Sequence, residues 1–239
     1  MEIKVIAEAS TKLQRLFVGW GVSFLVNNDI LFDTFSTPDT LKHNLSKQGV
    51  KISSFKHLVI SHDHWDHTGG VRVVLYNNPG IKVYLCPGFS NEFRNIVTQY
   101  NCRIIDCRVF TEIRDNIYTT GEICGTYNGK TIFEQLLVIK NNDGLSVITG
   151  CAHPGIISIL KRIKEYFDNY PVKLLLGGFH LHNKTATEIL CTIDSLKNMG
   201  IETVAPCHCT GKLACGLFKE KFRENFIGIN TGSIINVNI

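Results

Sequence analysis

No run of apolar residues in this sequence approaches the roughly 18 needed to cross a bilayer, so a membrane-spanning protein is not expected. There is no low-complexity tract and no long block of like charge, which argues against a disordered or tail-driven protein. The opening residues Met1-Glu2-Ile3-Lys4-Val5-Ile6 alternate in a β-like way and lack the apolar core of a secretory signal. The cysteines have no framework spacing: nine of them, an odd number, are scattered along the chain. That pattern predicts reduced thiols and a cytoplasmic protein. Cys86, Cys102, Cys107 and Cys124 have no histidine neighbours and no CxxC spacing, so they are expected as free thiols. The net charge of +4 permits an anionic small-molecule substrate but is too weak to argue for nucleic acid.

What is present fits a soluble globule. The 239 residues are 44% hydrophobic and 19% charged, with a mean hydropathy of +0.06, enough to bury a large core as a single domain over 1–239. Strands are expected at 3–7, 20–26 and 30–33, with Asn27-Asn28-Asp29 turning between the last two. Thr37-Pro38-Asp39 has the hydroxyl, proline and acid of a helix start, and Gly49 a stop. A strand at 57–60, a short helix at 71–76, strands at 81–85 and 103–105, and a helix at 91–100 follow. Residues 106–131 are rich in turn signals and read as a substrate-covering loop or an irregular strand pair. Asn141-Asn142-Asp143-Gly144 joins strands at 136–140 and 145–149 in a hairpin. Helices at 154–170 and 185–199 then alternate with strands at 172–176 and 201–205. A closing hairpin of 226–229 and 233–237 is expected.

The chemistry centres on Ser61-His62-Asp63-His64-Trp65-Asp66-His67-Thr68-Gly69-Gly70. It leaves a buried strand and ends on paired glycines. His62 and His64 share a side of an extended segment. Asp66 and His67 fall where the chain turns and can face a second ion. Imidazole with carboxylate suits zinc first, with iron or manganese as alternatives. His43 and His57 are read as surface and structural residues. Each of three later strand ends also carries a histidine beside glycine or cysteine: His153, His180 and His208. Ligands bind beyond the carboxyl ends of strands, so three histidines so placed point to a site.

HxHxDHxGG resembles the metal-binding signature of the metallo-β-lactamase superfamily. The resemblance implies an αββα sandwich, two mixed β-sheets with helices on the outer faces, holding two divalent metal ions. TGCAHPG, GGFHL and APCHCTG narrow it to a branch labelled dihydropterin–ribofuranosylaminobenzene phosphate synthase-like. By that resemblance Asp33 buttresses the ligands, and His208 joins Asp66 and His67 on one metal. Two departures stand out. No histidine occurs from Thr68 to Ala152, and Thr149-Gly150-Cys151 occupies the place of an expected bridging aspartate. His153 is the nearby imidazole that would complete the His62–His64 metal. Cys151 is either a bridging thiolate or an inert core residue. His180 is either a ligand or, the preferred reading, a group that serves the substrate from beside the metals. His182 is expected on the solvent side, and Lys212 within reach of an anionic group. Alternation turns Cys207 and Cys209 away from His208, so both are read as packing.

The expected activity is hydrolysis of an ester or phosphodiester by a metal-bound hydroxide, oriented by Asp66. No serine or cysteine with a paired base is evident, so covalent catalysis is not expected. Two other classes stay open: a pterin-dependent synthase, and a metal-binding sensor without activity.

Overall fold

A computed structural model describes residues 1–237. The first half runs β1 (Glu2–Ala9), α1 (Lys12–Phe17), β2 (Gly21–Val26), β3 (Ile30–Phe32), α2 (Pro38–Lys47), β4 (His57–Val59), α3 (Trp65–Thr68), α4 (Val71–Asn77), β5 (Lys82–Leu85), α5 (Asn91–Thr98) and β6 (Arg103–Asp106). The second half runs β7 (Thr111–Arg114), β8 (Ile117–Thr119), β9 (Ile123–Tyr127), β10 (Lys130–Glu134), β11 (Leu137–Lys140), β12 (Leu145–Thr149), α6 (Ile156–Tyr166), β13 (Val172–Gly178), α7 (Ala186–Asn198), β14 (Thr203–Cys207), α8 (Lys212–Phe222) and β15 (Ile234–Asn236).

Period-two alternation sorts the strands into layers. In β3, Ile30 and Phe32 face one way and Leu31 the other; in β13, Leu174 and Leu176 oppose Leu175. The inward sets meet between a seven-stranded sheet, β15-β1-β2-β3-β4-β5-β6, and a six-stranded sheet, β14-β13-β12-β11-β8-β7. The outward face of the first sheet packs under α2, α4 and α5 through Leu41, Leu45, Val74 and Phe93. That of the second packs under α6, α7 and α8 through Ile159, Ile163, Ile193 and Phe218. This is the expected αββα sandwich, and both sheets are mixed. Strands β3 to β6 run parallel, as do β12 to β14, while the remaining neighbours are antiparallel. No helix among the described residues is long and apolar enough to cross a membrane.

Several expectations need correction. Thr37 makes no side-chain cap at α2, whose start is set by Pro38. The helix expected from Pro154 begins at Ile156, because Gly155 at φ 88° still belongs to the preceding turn. Helices α1 and α8 were not anticipated. Of the two readings of residues 106–131, strands form: β7 pairs with β8 through a register shift, and β9 with β10 in a separate hairpin. The closing hairpin does not form: β15 pairs with β1, and Phe226 makes a single bridge to Val204.

Candidate metal centre

The carboxyl ends of β3, β4, β12, β13 and β14 bring the site residues together. His62, three residues beyond the last paired residue of β4, packs at ring-centroid distances of 4.7 Å from His64, 4.1 Å from His67 and 4.7 Å from His153. The loop is not extended throughout, since residues 65–68 wind into α3 and swing Asp66 and His67 inward. Two sets of donor atoms result: His62, His64 and His153, and Asp66, His67 and His208. Within each set the atoms lie within 4.8 Å of one another. Cys151 sits between them, its Sγ 3.3 Å from His67 Nε2.

Each of four imidazoles is tethered at Nδ1 by an oxygen. His67 Nδ1 lies 2.6 Å from Asp33 Oδ2, His153 Nδ1 3.0 Å from Glu134 Oε2, and His208 Nδ1 3.1 Å from the Ala9 carbonyl. For His62 the network fixes the tautomer. Ser61 Oγ donates to Asp33 Oδ2 at 2.7 Å, so its oxygen accepts from His62 Nδ1 at 2.8 Å. With Nδ1 tethered, each ring turns its Nε2 toward the other donor atoms of the cluster. That is the arrangement by which oxygen acceptors orient metal-binding histidines.

Asp33 is fully buried and accepts from the Ser61 N–H at 2.7 Å as well. It therefore sits behind the loop. Burial works against charging His67, but Asp66 and Asp33 together lift it well above the ordinary imidazole range. His62 goes the other way: burial, then His67, His153 and His64, hold it well below. Burial alone would raise Asp66, but His67 and His208 keep its carboxylate well below the usual range. Burial pushes the Cys151 thiol well up.

Three supporting residues escaped the sequence reading. Glu134 ends β10 fully buried and accepts from the backbone N–H groups of Cys151, Ala152 and His153, each at 2.8 Å. It thereby holds the turn that carries Cys151 and His153, with Ala152 at φ 60°. Glu8 accepts from the His208 N–H at 3.1 Å. Gln135 donates to the Ile60 and Tyr84 carbonyls at 2.8 and 2.9 Å, tying the two sheets together behind the loop. Of the three, Glu134 alone left a signal in its strand, in phase with the buried Ile132. Gly150 is required by packing, because a Cβ there would overlap Ser61 Oγ.

The site opens into a cavity of about 600 Å³. Its walls include His180, Tyr127 at the tip of the β9–β10 hairpin, both tryptophans, Arg15 and Lys212. His180 is half-buried, 4.5 Å from the His153 ring, and held at φ 52°. Tyr127 packs 4.8 Å from His64. His182 is exposed, as expected, and its Nδ1 lies 3.2 Å from the Cys209 carbonyl. Cys209 corrects an expectation: β14 ends at Cys207 and His208–Thr210 turn in a 3-10 step, so the Cys209 thiol reaches the cavity while Cys207 stays in the inter-sheet core.

The residues fit a metal. His62 Nε2 is fully buried without a hydrogen-bond partner, and so is His208 Nε2, which lies 3.3 Å from Asp66 Oδ2 without the alignment of a hydrogen bond. Each such orphan costs about 1–3 kcal/mol, and each belongs to a donor cluster, His62 with His67 and Cys151, His208 with Asp66 and His67. Divalent ions held by the two sets would satisfy these donors.

The profile of the Metallo-beta-lactamase superfamily matches residues 21–208. A relative from Methanocaldococcus jannaschii, 7,8-dihydropterin-6-methyl-4-(beta-D-ribofuranosyl)-aminobenzene-5'-phosphate synthase, is 28% identical over 90% of this chain and 89% of its own. A solved metal-dependent hydrolase of the beta-lactamase superfamily aligns over 100% of both chains at 32% identity and a TM-score of 0.79. The short form of human tRNase Z covers 100% of both chains at 12% identity and a TM-score of 0.63, a likeness of fold alone. The protein belongs to the metallo-β-lactamase superfamily.

Proposed function

We propose that this protein is a metal-dependent hydrolase that cleaves an ester or phosphodiester bond in a small anionic substrate. It uses two divalent ions, zinc by the chemistry of the donors. One would be held by His62, His64 and His153, the other by Asp66, His67 and His208, with Cys151 between them. One observation carries the reading: four imidazoles, each anchored at Nδ1, bring their Nε2 atoms together in one buried cluster beside Asp66.

The ions would supply a water acidic enough to attack at neutral pH and a positive face for the charge that develops on the substrate. The protein does the rest. Asp66 Oδ2 faces His67 and His208 at 3.5 and 3.3 Å, which leaves Oδ1 to accept a hydrogen bond from the attacking water and fix its direction. His180, with a buried Nδ1 that has no protein partner, is positioned to hand a proton to the leaving group. Lys212 and Arg15, both on the cavity wall, attract the substrate's anionic end. The cavity suits a small ligand.

The test is turnover of a model phosphodiester, bis(p-nitrophenyl) phosphate, by zinc-loaded protein. Asp66→Asn should lower it by roughly 10²–10⁴, as loss of an oriented proton acceptor does. A loaded protein that cleaves neither this diester nor a matching carboxylic ester would refute hydrolysis. The methanogen relative favours a second reading, a synthase acting on a pterin. Formation of the coupled product from a dihydropterin and a ribofuranosylaminobenzene phosphate, followed by mass spectrometry, distinguishes it.

A further inference from the structure

We propose that Cys209 is a sulfur ligand of this metal centre, so that the His208 position takes a thiophilic divalent ion through two thiolates, Cys209 and Cys151. The inference rests on the metal-dependent reading above and adds a ligand to it.

Strand alternation would bury Cys207 and Cys209 on one side and send His208 to the other. The chain does not continue as a strand. His208 adopts φ 50° and opens a 3-10 turn, which brings Cys209 round to the side of the His208 ring. Cys151 Sγ, the His208 ring nitrogen and Cys209 Sγ then lie within 4.8 Å of one another. Zn–S bonds of about 2.3 Å place two sulfurs on one ion roughly 3.5–4 Å apart, so a closing movement of about 1 Å from that limit suffices.

The surroundings of Cys209 are those of a ligand. A packing cysteine sits among apolar side chains, as Cys207 does between the sheets. Cys209 is only 4% exposed, yet it lines the cavity beside Cys151, His180 and His208. Among the described residues its thiol makes one hydrogen bond, a weak contact from Sγ to the Cys151 carbonyl at 3.6 Å. The fully buried His208 Nε2 next to it has no hydrogen-bond partner, an independent sign that a cation belongs there. The fold also keeps room for the thiol: a Cβ on Gly178 would come 2.6 Å from Cys209 Sγ. Two thiolates and an imidazole favour zinc or cadmium over manganese, since soft ligands select soft ions. Cadmium is therefore the natural probe.

Two spectroscopic measurements test the ligand directly. In cobalt-loaded protein, the sulfur-to-metal charge-transfer band should weaken in Cys209→Ser, weaken in Cys151→Ser, and vanish only in the double variant. A band unchanged in Cys209→Ser, or abolished by Cys151→Ser alone, overturns the proposal. Cadmium-113 NMR of the unsubstituted protein needs no variant. One resonance in the range of a two-sulfur site is expected, and two resonances each in the range of one sulfur or none overturn it. Cadmium affinity at this position should fall by more than about 100-fold in Cys209→Ser. A smaller loss is what a group merely supporting a ligand produces, and it counts against ligation. Elemental analysis separates the two levels of the argument. A chain that binds no metal sinks the functional reading, whereas two bound ions without the second sulfur signal sink only the role of Cys209.

Discussion

Glu134 offers the sharpest perturbation, because one buried carboxylate serves four donors. Its Oε1 accepts from the Cys151 and Ala152 N–H groups and its Oε2 from the His153 N–H, all at 2.8 Å, while His153 Nδ1 stands 3.0 Å from Oε2. Glu134→Ala strands three buried backbone donors, each worth about 1–3 kcal/mol when left unpaired. The sum is softened because the turn relaxes and the buried charge itself disappears. We expect a net loss of about 3–5 kcal/mol, the range for breaking a buried charged pair. Against a total stability of about 5–15 kcal/mol, that is severe.

The isosteric Glu134→Gln separates support of the fold from support of the metal. Its Oε1 still accepts from Cys151 and Ala152, but its amide NH₂ opposes the two His153 donors. Stability should fall by only about 1–3 kcal/mol. With no acceptor for Nδ1–H, the His153 proton moves to Nε2, the atom directed at His62 and His64. Metal affinity at that position should drop about 10–100-fold, while the Asp66–His67–His208 position is spared. Urea unfolding of metal-free protein and competition with a chromophoric chelator read the two effects separately. Wild-type affinity at both positions in Glu134→Gln would refute the reasoning.

Two further predictions follow the same geometry. His153→Ala should release the ion shared with His62 and His64, and His208→Ala the other; elemental analysis that finds two tightly held ions in either variant contradicts that assignment. Leu176, fully buried between the sheets, should cost about 2–5 kcal/mol as Leu176→Ala, and a shift below about 1 kcal/mol in the urea transition would mean the inter-sheet core is not packed as described.

Much of the architecture was legible because the signals were local. Apolar runs bounded by turn residues marked β3, β11 and β13. The Asn27-Asn28 turn has φ 49° and 64°, the left-handed pair that such a hairpin needs. The failures have physical causes. Thr11 and Gln14 form a capping box for α1, but Leu13, Leu16 and Phe17 are 71–77% exposed, so no buried stripe announces the helix. Helix α8 buries Ala214, Phe218 and Phe222 along one side, yet Gly211 at its start provides no side-chain cap. Strand β15 is three residues long and pairs with β1 across almost the whole chain, a contact no local pattern encodes.

The site divides along the same line. The donors could be read because metal chemistry restricts residue type, and a loop that leaves a strand restricts spacing. The groups that aim them could not be read so directly. Glu8 reaches the His208 N–H from 200 residues away, and a register shift between Val5 and Ala7 hides its inward direction in the pattern of β1. Glu134 did leave a trace, since it is in phase with buried Ile132 along β10 while Lys130 and Thr131 are exposed. A carboxylate on the inward phase of a strand is too costly to bury unless something donates to it. Such a residue near a histidine-rich turn is therefore a search target in its own right. Here it leads to His153, the imidazole that stands where the usual motif has none.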